Sequence, residues 1–97
     1  MIRLFRVTGH SMSPTLEDGD FVCALKWPRH WLKLGHVVVA DSEKYGVVVK
    51  RISSVSEDGS FTLVGDNSVY SVSQAAMGDF SASQLLGKVI YHAKASR

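Results

Sequence analysis

Short apolar runs recur along the chain and are separated by turn residues. β-branched and aromatic residues dominate the runs, and Gly, Asp, Glu and Ser cluster between them, a pattern typical of short β-strands. Helix is scarce, with at most one helical turn expected near Pro14–Glu17 and one more around Ser83–Leu86. The chain is therefore predicted to be mainly β, with strands at Ile2–Val7, Asp20–Leu25, Val37–Asp41, Tyr45–Ser54, Phe61–Val64 and Leu85–His92.

The longest predicted strand carries a lysine among valines. Side chains two residues apart share a face of a sheet, so Lys50 lies on one face with Val48 and Ile52, and Arg51 lies on the other. A lysine in that position either extends its amine to water from a half-exposed strand or keeps the amine in apolar surroundings. Strand parity alone favours the first interpretation.

A second feature is the segment Gly9-His10-Ser11-Met12-Ser13-Pro14-Thr15, which holds a serine between a glycine and a proline. Gly9 lets another chain approach the backbone closely, and Pro14 prevents regular strand pairing, which places Ser11 on an exposed turn. Ser13 as N-cap, with Pro14 at the first helical position, would start a short helical turn. Backbone N–H groups beside Ser11 could then stabilise an oxyanion, whereas without a base elsewhere the segment is an ordinary turn.

Composition and charge set the class of protein. At 97 residues, 45% hydrophobic and 21% charged, the chain is predicted to form a single domain over residues 1–97. The single Cys23 cannot form an internal disulfide, which favours a reducing compartment and a buried place on a strand. A net charge of +2 is too small to indicate nucleic-acid binding. Arg3 and Arg6 interrupt the first apolar run, and no stretch approaches the ~20 apolar residues of a membrane span, so we expect a cytoplasmic protein.

Five elements, taken in order, resemble the clan of serine proteases that contains type I signal peptidases and LexA-type repressors. Residues 9–15 are similar to the motif in which the serine before a methionine is the nucleophile, and Val49-Lys50-Arg51-Ile52 resembles the strand that carries the base. The remaining three elements are Gly19-Asp20-Phe21-Val22, Leu34-Gly35-His36-Val37-Val38-Val39 and the late box Gly65-Asp66-Asn67-Ser68. The resemblance implies a compact LexA/signal-peptidase-like domain of coiled antiparallel sheets.

The same resemblance implies a serine endopeptidase in which Ser11 is the nucleophile and Lys50 the general base, with no cofactor and no metal. A lysine ordinarily titrates near 10.4, and a base that works at neutral pH needs a pKa of about 7–8, which is ~4 kcal/mol against the charged form. Burial between Val48 and Ile52, with no carboxylate directed at the amine, would lower the pKa of Lys50.

Several positions depart from the clan's pattern. Gly9 stands where the clan has a hydroxyl-bearing oxyanion residue, so backbone N–H groups are expected to bind the oxyanion, with Gly9 and Met12 as the oxyanion and substrate-binding positions. His36 replaces an aspartate. The hydroxyl that orients the lysine is not assignable, although Ser71 or Ser73 could supply it. Asp66 and Asn67 are expected to hold a local turn through side-chain to backbone hydrogen bonds.

Competing chemistry finds less support. A Ser-His-Asp triad would need one of four histidines, but no Gly-x-Ser-x-Gly elbow occurs, and the histidine adjacent to the serine would have to fold back to reach its hydroxyl. Paired His or Cys residues at zinc-ligand spacing are also missing from the sequence. The four histidines are His10, His30, His36 and His92.

The segment 26–33 places Trp27 and Trp31 among basic residues. The simpler interpretation is a loop whose indoles pack over the sheet. The alternatives are a recognition surface for a protein substrate and a shallow peripheral contact with a membrane interface.

The expected partner is a protein or peptide substrate. Ten residues precede Ser11, with no Ala-Gly or Cys-Gly site among them, so cleavage in trans is expected rather than self-cleavage. In length the chain resembles short maturation proteases, such as those proposed to trim nickel superoxide dismutase precursors. A catalytically silent binding or dimerisation module on the same fold is the alternative, and a homodimer through an exposed edge stays open.

Overall fold

The strands of the protein form one curled sheet. A computed structural model describes residues 2–26, 28, 31–67 and 77–95. Within these residues seven strands pair antiparallel in the spatial order β1-β2-β7-β3-β4-β5-β6. The strands are β1 (Ile2–Arg6), β2 (Phe21–Leu25), β3 (Val37–Ser42), β4 (Gly46–Val55), β5 (Phe61–Val64), β6 (Asp79–Phe80) and β7 (Leu85–Ala93). The predicted mainly-β fold of coiled antiparallel sheet is confirmed.

All six predicted strands are present, displaced by at most one residue at either end. The β3–β4 hairpin shows the cause of such a displacement. Tyr45, predicted to open β4, lies in the turn because its backbone N–H donates to Ser42 Oγ at 3.1 Å. Gly46, with φ of 73°, pairs with Ser42 and starts the strand instead. Strand β6 was not predicted, because two residues are too short to show alternation.

The helical turn predicted to start at Pro14 is wrong. Residues 11–15 form turns without a regular helix. Ser13 is not an N-cap, because Glu17 N–H, which would donate to Ser13 O in a helix starting there, donates to Asp20 Oδ2 at 2.9 Å instead. Leu16 N–H donates to Met12 O at 2.9 Å, so the turn begins before Ser13. The second predicted turn is a 3₁₀ helix at Ala82–Gln84, which ends where β7 begins.

The central strands bury both of their faces. Val38 on β3 and Ile52 on β4 pack in a first core cluster with Phe61 and Phe80, whose rings stack 5.5 Å apart. Val39, the next residue of β3, packs in a second cluster on the other face. This alternation is the period of two that the sequence pattern predicts. The curled sheet of this protein therefore packs against two small cores, one on each face of β3.

The outer face of β1, β2 and β7 is open to solvent. Leu4, Cys23 and Tyr91 lie opposite one another across these strands, and both Leu4 and Tyr91 are exposed. Cys23 is consequently half-buried, and the prediction of a buried thiol is wrong. No helix in the described part of the chain is long and apolar enough to cross a membrane.

A fully buried carboxylate ties the end of β7 to the loop before β2. Asp20 accepts hydrogen bonds from Glu17 N at 2.9 Å and Ala95 N at 3.0 Å. Its Oδ2 also lies 2.7 Å from Nε2 of His92. Because a buried polar group is stable only when its hydrogen bonds are satisfied, these contacts hold the two segments together.

We expect Asp20→Ala to lower the free energy of unfolding by about 3–5 kcal/mol, since it leaves two backbone N–H groups and His92 without their acceptor. Urea unfolding at neutral pH measures the change, with Glu57→Ala on an exposed turn as the control. A loss no larger than that of the control would show that the carboxylate does not hold these segments.

Candidate active site

A cleft of about 260 Å³ lies between the end of β1 and the first half of β4. Both residues of the predicted dyad, Ser11 and Lys50, line it, although they are 39 positions apart in sequence. Gly9 lines it as well, and Met12 does not. The described lining consists of Phe5, Arg6, Val7, Thr8, Gly9, His10, Ser11, Tyr45, Val47, Val48, Val49, Lys50 and Met77, with no carboxylate among them.

Lys50 is buried in the sheet, with 6% of its surface exposed. In the β3–β4 register it lies opposite Val38, which is fully buried, and its strand neighbours Val48 and Ile52 pack in the first core cluster. Burial lowers the pKa of Lys50, because the low-dielectric surroundings penalise the ammonium. No ion pair between this amine and a carboxylate occurs among the described residues. The interpretation in which Lys50 extends to water is therefore wrong.

Two buried apolar side chains anchor the turn that carries Ser11 to the sheet. Met12 and Leu16 are buried in the second core cluster, where they meet Val39 of β3. Ser11 between them and the cleft is half-buried. The apolar anchors fix the turn on the sheet, so the hydroxyl-bearing residue is presented at the cleft without belonging to a strand.

Gly9 has a left-handed backbone conformation, and its N–H already donates a hydrogen bond within the loop. Its φ of 82° lies in the left-handed region, and a Cβ built there would meet nothing within 4 Å. Another chain can therefore approach this backbone closely. The Gly9 N–H donates to Asp18 Oδ1 at 2.8 Å, so it is already used within the loop.

Asp66 joins the serine turn to the lysine strand. One of its oxygens accepts a hydrogen bond from Thr15 Oγ1 at 2.6 Å, four residues after Ser11. Arg51, the neighbour of Lys50, donates to both oxygens, from Nε at 2.8 Å and from Nη2 at 2.7 Å. The prediction that Asp66 holds only a local turn is wrong, because its partners lie 51 and 15 positions away.

The hydrogen bonds of Asp66 also set its charge. Those from Arg51 are the largest cause of the lowered pKa of Asp66, which keeps the carboxylate ionised. The adjacent Asn67 donates its backbone N–H to Ser11 O at 2.8 Å. The late Gly-Asp-Asn box therefore contacts the serine turn twice. Ser71 and Ser73, the candidates for orienting the lysine, lie outside the described residues.

His36, which stands where an aspartate was expected, closes the turn before β3. Its Nδ1 accepts a hydrogen bond from Lys33 N at 3.2 Å. Burial, followed by the charges of Lys88 and Lys33, lowers the pKa of His36, so the ring nitrogen stays available as an acceptor. The substitution thus keeps an acceptor at this position.

The structure contains a histidine–carboxylate pair, but the pair does not line the cleft that holds Ser11. His92 and Asp20 form a His-carboxylate pair at 2.7 Å, yet neither residue belongs to the described lining of the cleft that holds Ser11. His10 lines the cleft, and His30 lies outside the described residues. Nor does the described part of the chain bring together three His, Cys, Asp or Glu side chains that could hold a metal ion.

A curled antiparallel sheet with a serine turn and a buried lysine on one cleft defines a peptidase-like domain. The chain belongs to the Peptidase S24-like family, which it matches over residues 2–90. All five elements of the resemblance fall within that range, so the predicted family is confirmed. No curated protein matches the chain. The family supports a peptidase kind of activity, whereas the likeness to maturation proteases of nickel superoxide dismutase stays a prediction.

Replacing the buried amine should stabilise the fold. We expect Lys50→Met to raise the free energy of unfolding at pH 7 by about 1–3 kcal/mol, because a buried amine costs energy that a thioether does not. The gain should shrink as the pH rises towards about 10.4, above which the unfolded chain also holds a neutral amine. Urea unfolding at several pH values measures it, with the exposed Lys94→Met as the control. A destabilised Lys50→Met protein would contradict the apolar environment.

The link between turn and strand should appear as a coupling energy. Arg51→Met and Asp66→Asn, made singly and together, should give a coupling of about 1–2 kcal/mol in unfolding, because each removes the same bidentate pair. Asp79→Asn replaces Asp66→Asn in a control cycle with an exposed acid. Strict additivity of Arg51→Met and Asp66→Asn would mean that the pair contributes nothing.

Proposed function

We propose that this protein is a serine endopeptidase in which Ser11 is the nucleophile and Lys50 the general base, acting in trans on a protein or peptide. The observation that carries the proposal is a buried lysine with a lowered pKa on the same cleft as Ser11. A lysine amine in apolar surroundings is expensive to keep, and such perturbed groups cluster at reactive sites. Membership of a peptidase family supports the same assignment.

The proposed reaction needs one proton carrier. The neutral amine of Lys50 takes the proton of the Ser11 hydroxyl while Oγ forms a bond to the carbonyl carbon of the substrate. The resulting ammonium gives that proton to the leaving nitrogen as the C–N bond breaks, which leaves an ester on Ser11. Lys50 then takes a proton from water, the hydroxide attacks the ester, and the proton returns to Ser11 Oγ as the acid product leaves.

Charge on the carbonyl oxygen requires hydrogen-bond donors close to Ser11. The Gly9 N–H already donates to Asp18, which favours backbone N–H groups at Ser11 and Met12 for this task. Gly9 then serves by leaving room for the substrate backbone. No side-chain donor has to be assumed, in line with a glycine at the position two before the serine.

The edges of two strands suggest how a substrate is held. β1 is the first strand of the sheet and pairs on one side with β2. Residues 46–50 of β4 pair with β3, whereas β5 pairs with Arg51–Val55, so within the described chain this first half of β4 has an unpaired side. Both stretches line the cleft in part. An extended peptide could add its backbone hydrogen bonds to such edges, which selects flexible or unfolded segments as substrates.

Cleavage should depend on both members of the dyad. N-terminal proteomics of a protein extract incubated with the purified chain should show new N-termini that are absent with Ser11→Ala. On a peptide spanning such a site, Ser11→Ala and Lys50→Met should each lower kcat by about 10⁴-fold. His10→Ala should retain cleavage, because the mechanism gives this ring no proton to carry. Full activity of Lys50→Met would exclude the dyad, and no new N-termini would favour the silent binding module.

The pH dependence should follow one deprotonation. Since the amine is active when neutral, kcat/KM should rise with pH through the pKa of Lys50, at a midpoint below the ordinary lysine value of about 10.4. Lys50→Arg should be inactive at every pH, because a guanidinium keeps its proton. A profile governed by a group that must be protonated would contradict Lys50 as the base.

A further inference from the structure

The turn of residues 31–36, between β2 and β3, has an exposed apolar tip. Trp31 is 53% exposed and Leu34 is 67% exposed, whereas Leu32 between them is buried in the first core cluster. At Gly35, which has φ of 89°, a Cβ would meet nothing within 4 Å. The turn thus exposes two apolar side chains on either side of one buried anchor.

Cations surround this tip. The sequence from residue 21 to residue 40 contains no Asp or Glu. Lys33 lies in the turn, Lys26 follows β2, and Lys88 of β7 stands in register between Leu25 and Val38 at the same end of the sheet. Neither Lys26 nor Lys33 forms an ion pair within the described chain.

The charges of Lys33 and Lys88 both act on the side chain of His36. The lowered pKa of His36, which has burial as its largest cause, also reflects the charges of Lys88 and Lys33. Arg51, which donates to Gly35 O in the turn, also pairs with Asp66, so the charge of that carboxylate is matched. The face around the turn is therefore basic.

The turn is also held in shape. Gly35 N donates to Ile52 O at 3.0 Å, Ile52 N donates to His36 O at 2.8 Å, and Arg51 Nη1 donates to Gly35 O at 2.8 Å. A surface fixed in advance loses little conformational entropy when it binds. Trp31 and Leu34 therefore form a preformed apolar surface beside lysines, which a partner could cover.

We propose that the 31–36 turn docks on an anionic lipid bilayer, with Trp31 and Leu34 in the interfacial layer and the lysines facing the headgroups. Indole is suited to that layer, and lysine stems reach along apolar surface towards phosphate. A second copy would bring lysines against lysines, which charge repulsion opposes.

Vesicle flotation tests the proposal with the full chain and no substrate. Wild-type protein and Ser11→Ala should both float with vesicles of phosphatidylcholine containing about 30% phosphatidylglycerol, and much less with phosphatidylcholine alone. The double variant Trp31→Ser with Leu34→Ser should bind roughly tenfold more weakly, and Lys33→Gln about fivefold more weakly. Tyr91→Ser removes an aromatic side chain that is 64% exposed elsewhere and should bind like wild type.

Near-ultraviolet circular dichroism establishes that each variant is folded. Equal flotation of the turn variants and wild type would overturn the proposal, as would no flotation with anionic vesicles. Binding of fluorescein-labelled decaglutamate without vesicle binding would overturn it too, since it would make the turn a docking surface for acidic protein segments. Because Ser11→Ala is included, the result does not depend on peptidase activity.

Discussion

The cost of an amine inside an apolar sheet is the constraint on which the proposed chemistry depends. Lys50 is 6% exposed and meets no carboxylate among the described residues, so the ammonium is penalised and the neutral amine is favoured. An acid beside it would remove the penalty and restore an ordinary cation. The absence of acids from the described cleft lining is therefore as important as the lysine itself.

Polar contacts connect the serine turn to the strand that carries that amine. Asp66 reaches Thr15 on the turn and Arg51 beside Lys50, so one carboxylate connects both halves of the candidate site. Arg51, on the opposite side of the strand, pairs its positive charge with Asp66, whereas burial penalises a charge on Lys50. Two adjacent basic residues thus differ in role because one faces a carboxylate and the other lies among valines.

The sequence alone predicted the fold class and six strands, because alternation is a local signal. Ser11 and Lys50 were singled out only through the resemblance to a protease clan, since strand parity alone favoured a lysine amine in water. The sequence pattern missed β6, whose two residues carry no period. It also placed a helix start at Ser13 that the backbone hydrogen bonds of the turn exclude. The bridging role of Asp66 could not be predicted, because its partners are distant in sequence and meet only in the folded sheet.

The protonation state of Lys50 can be measured directly. Reductive methylation with ¹³C-formaldehyde gives each lysine a dimethylamine signal, and the signal lost in Lys50→Arg identifies residue 50. An NMR titration should then show this amine releasing its proton at a pH clearly below the ordinary lysine value of about 10.4. Titration of the residue 50 signal at the ordinary lysine value would contradict the account.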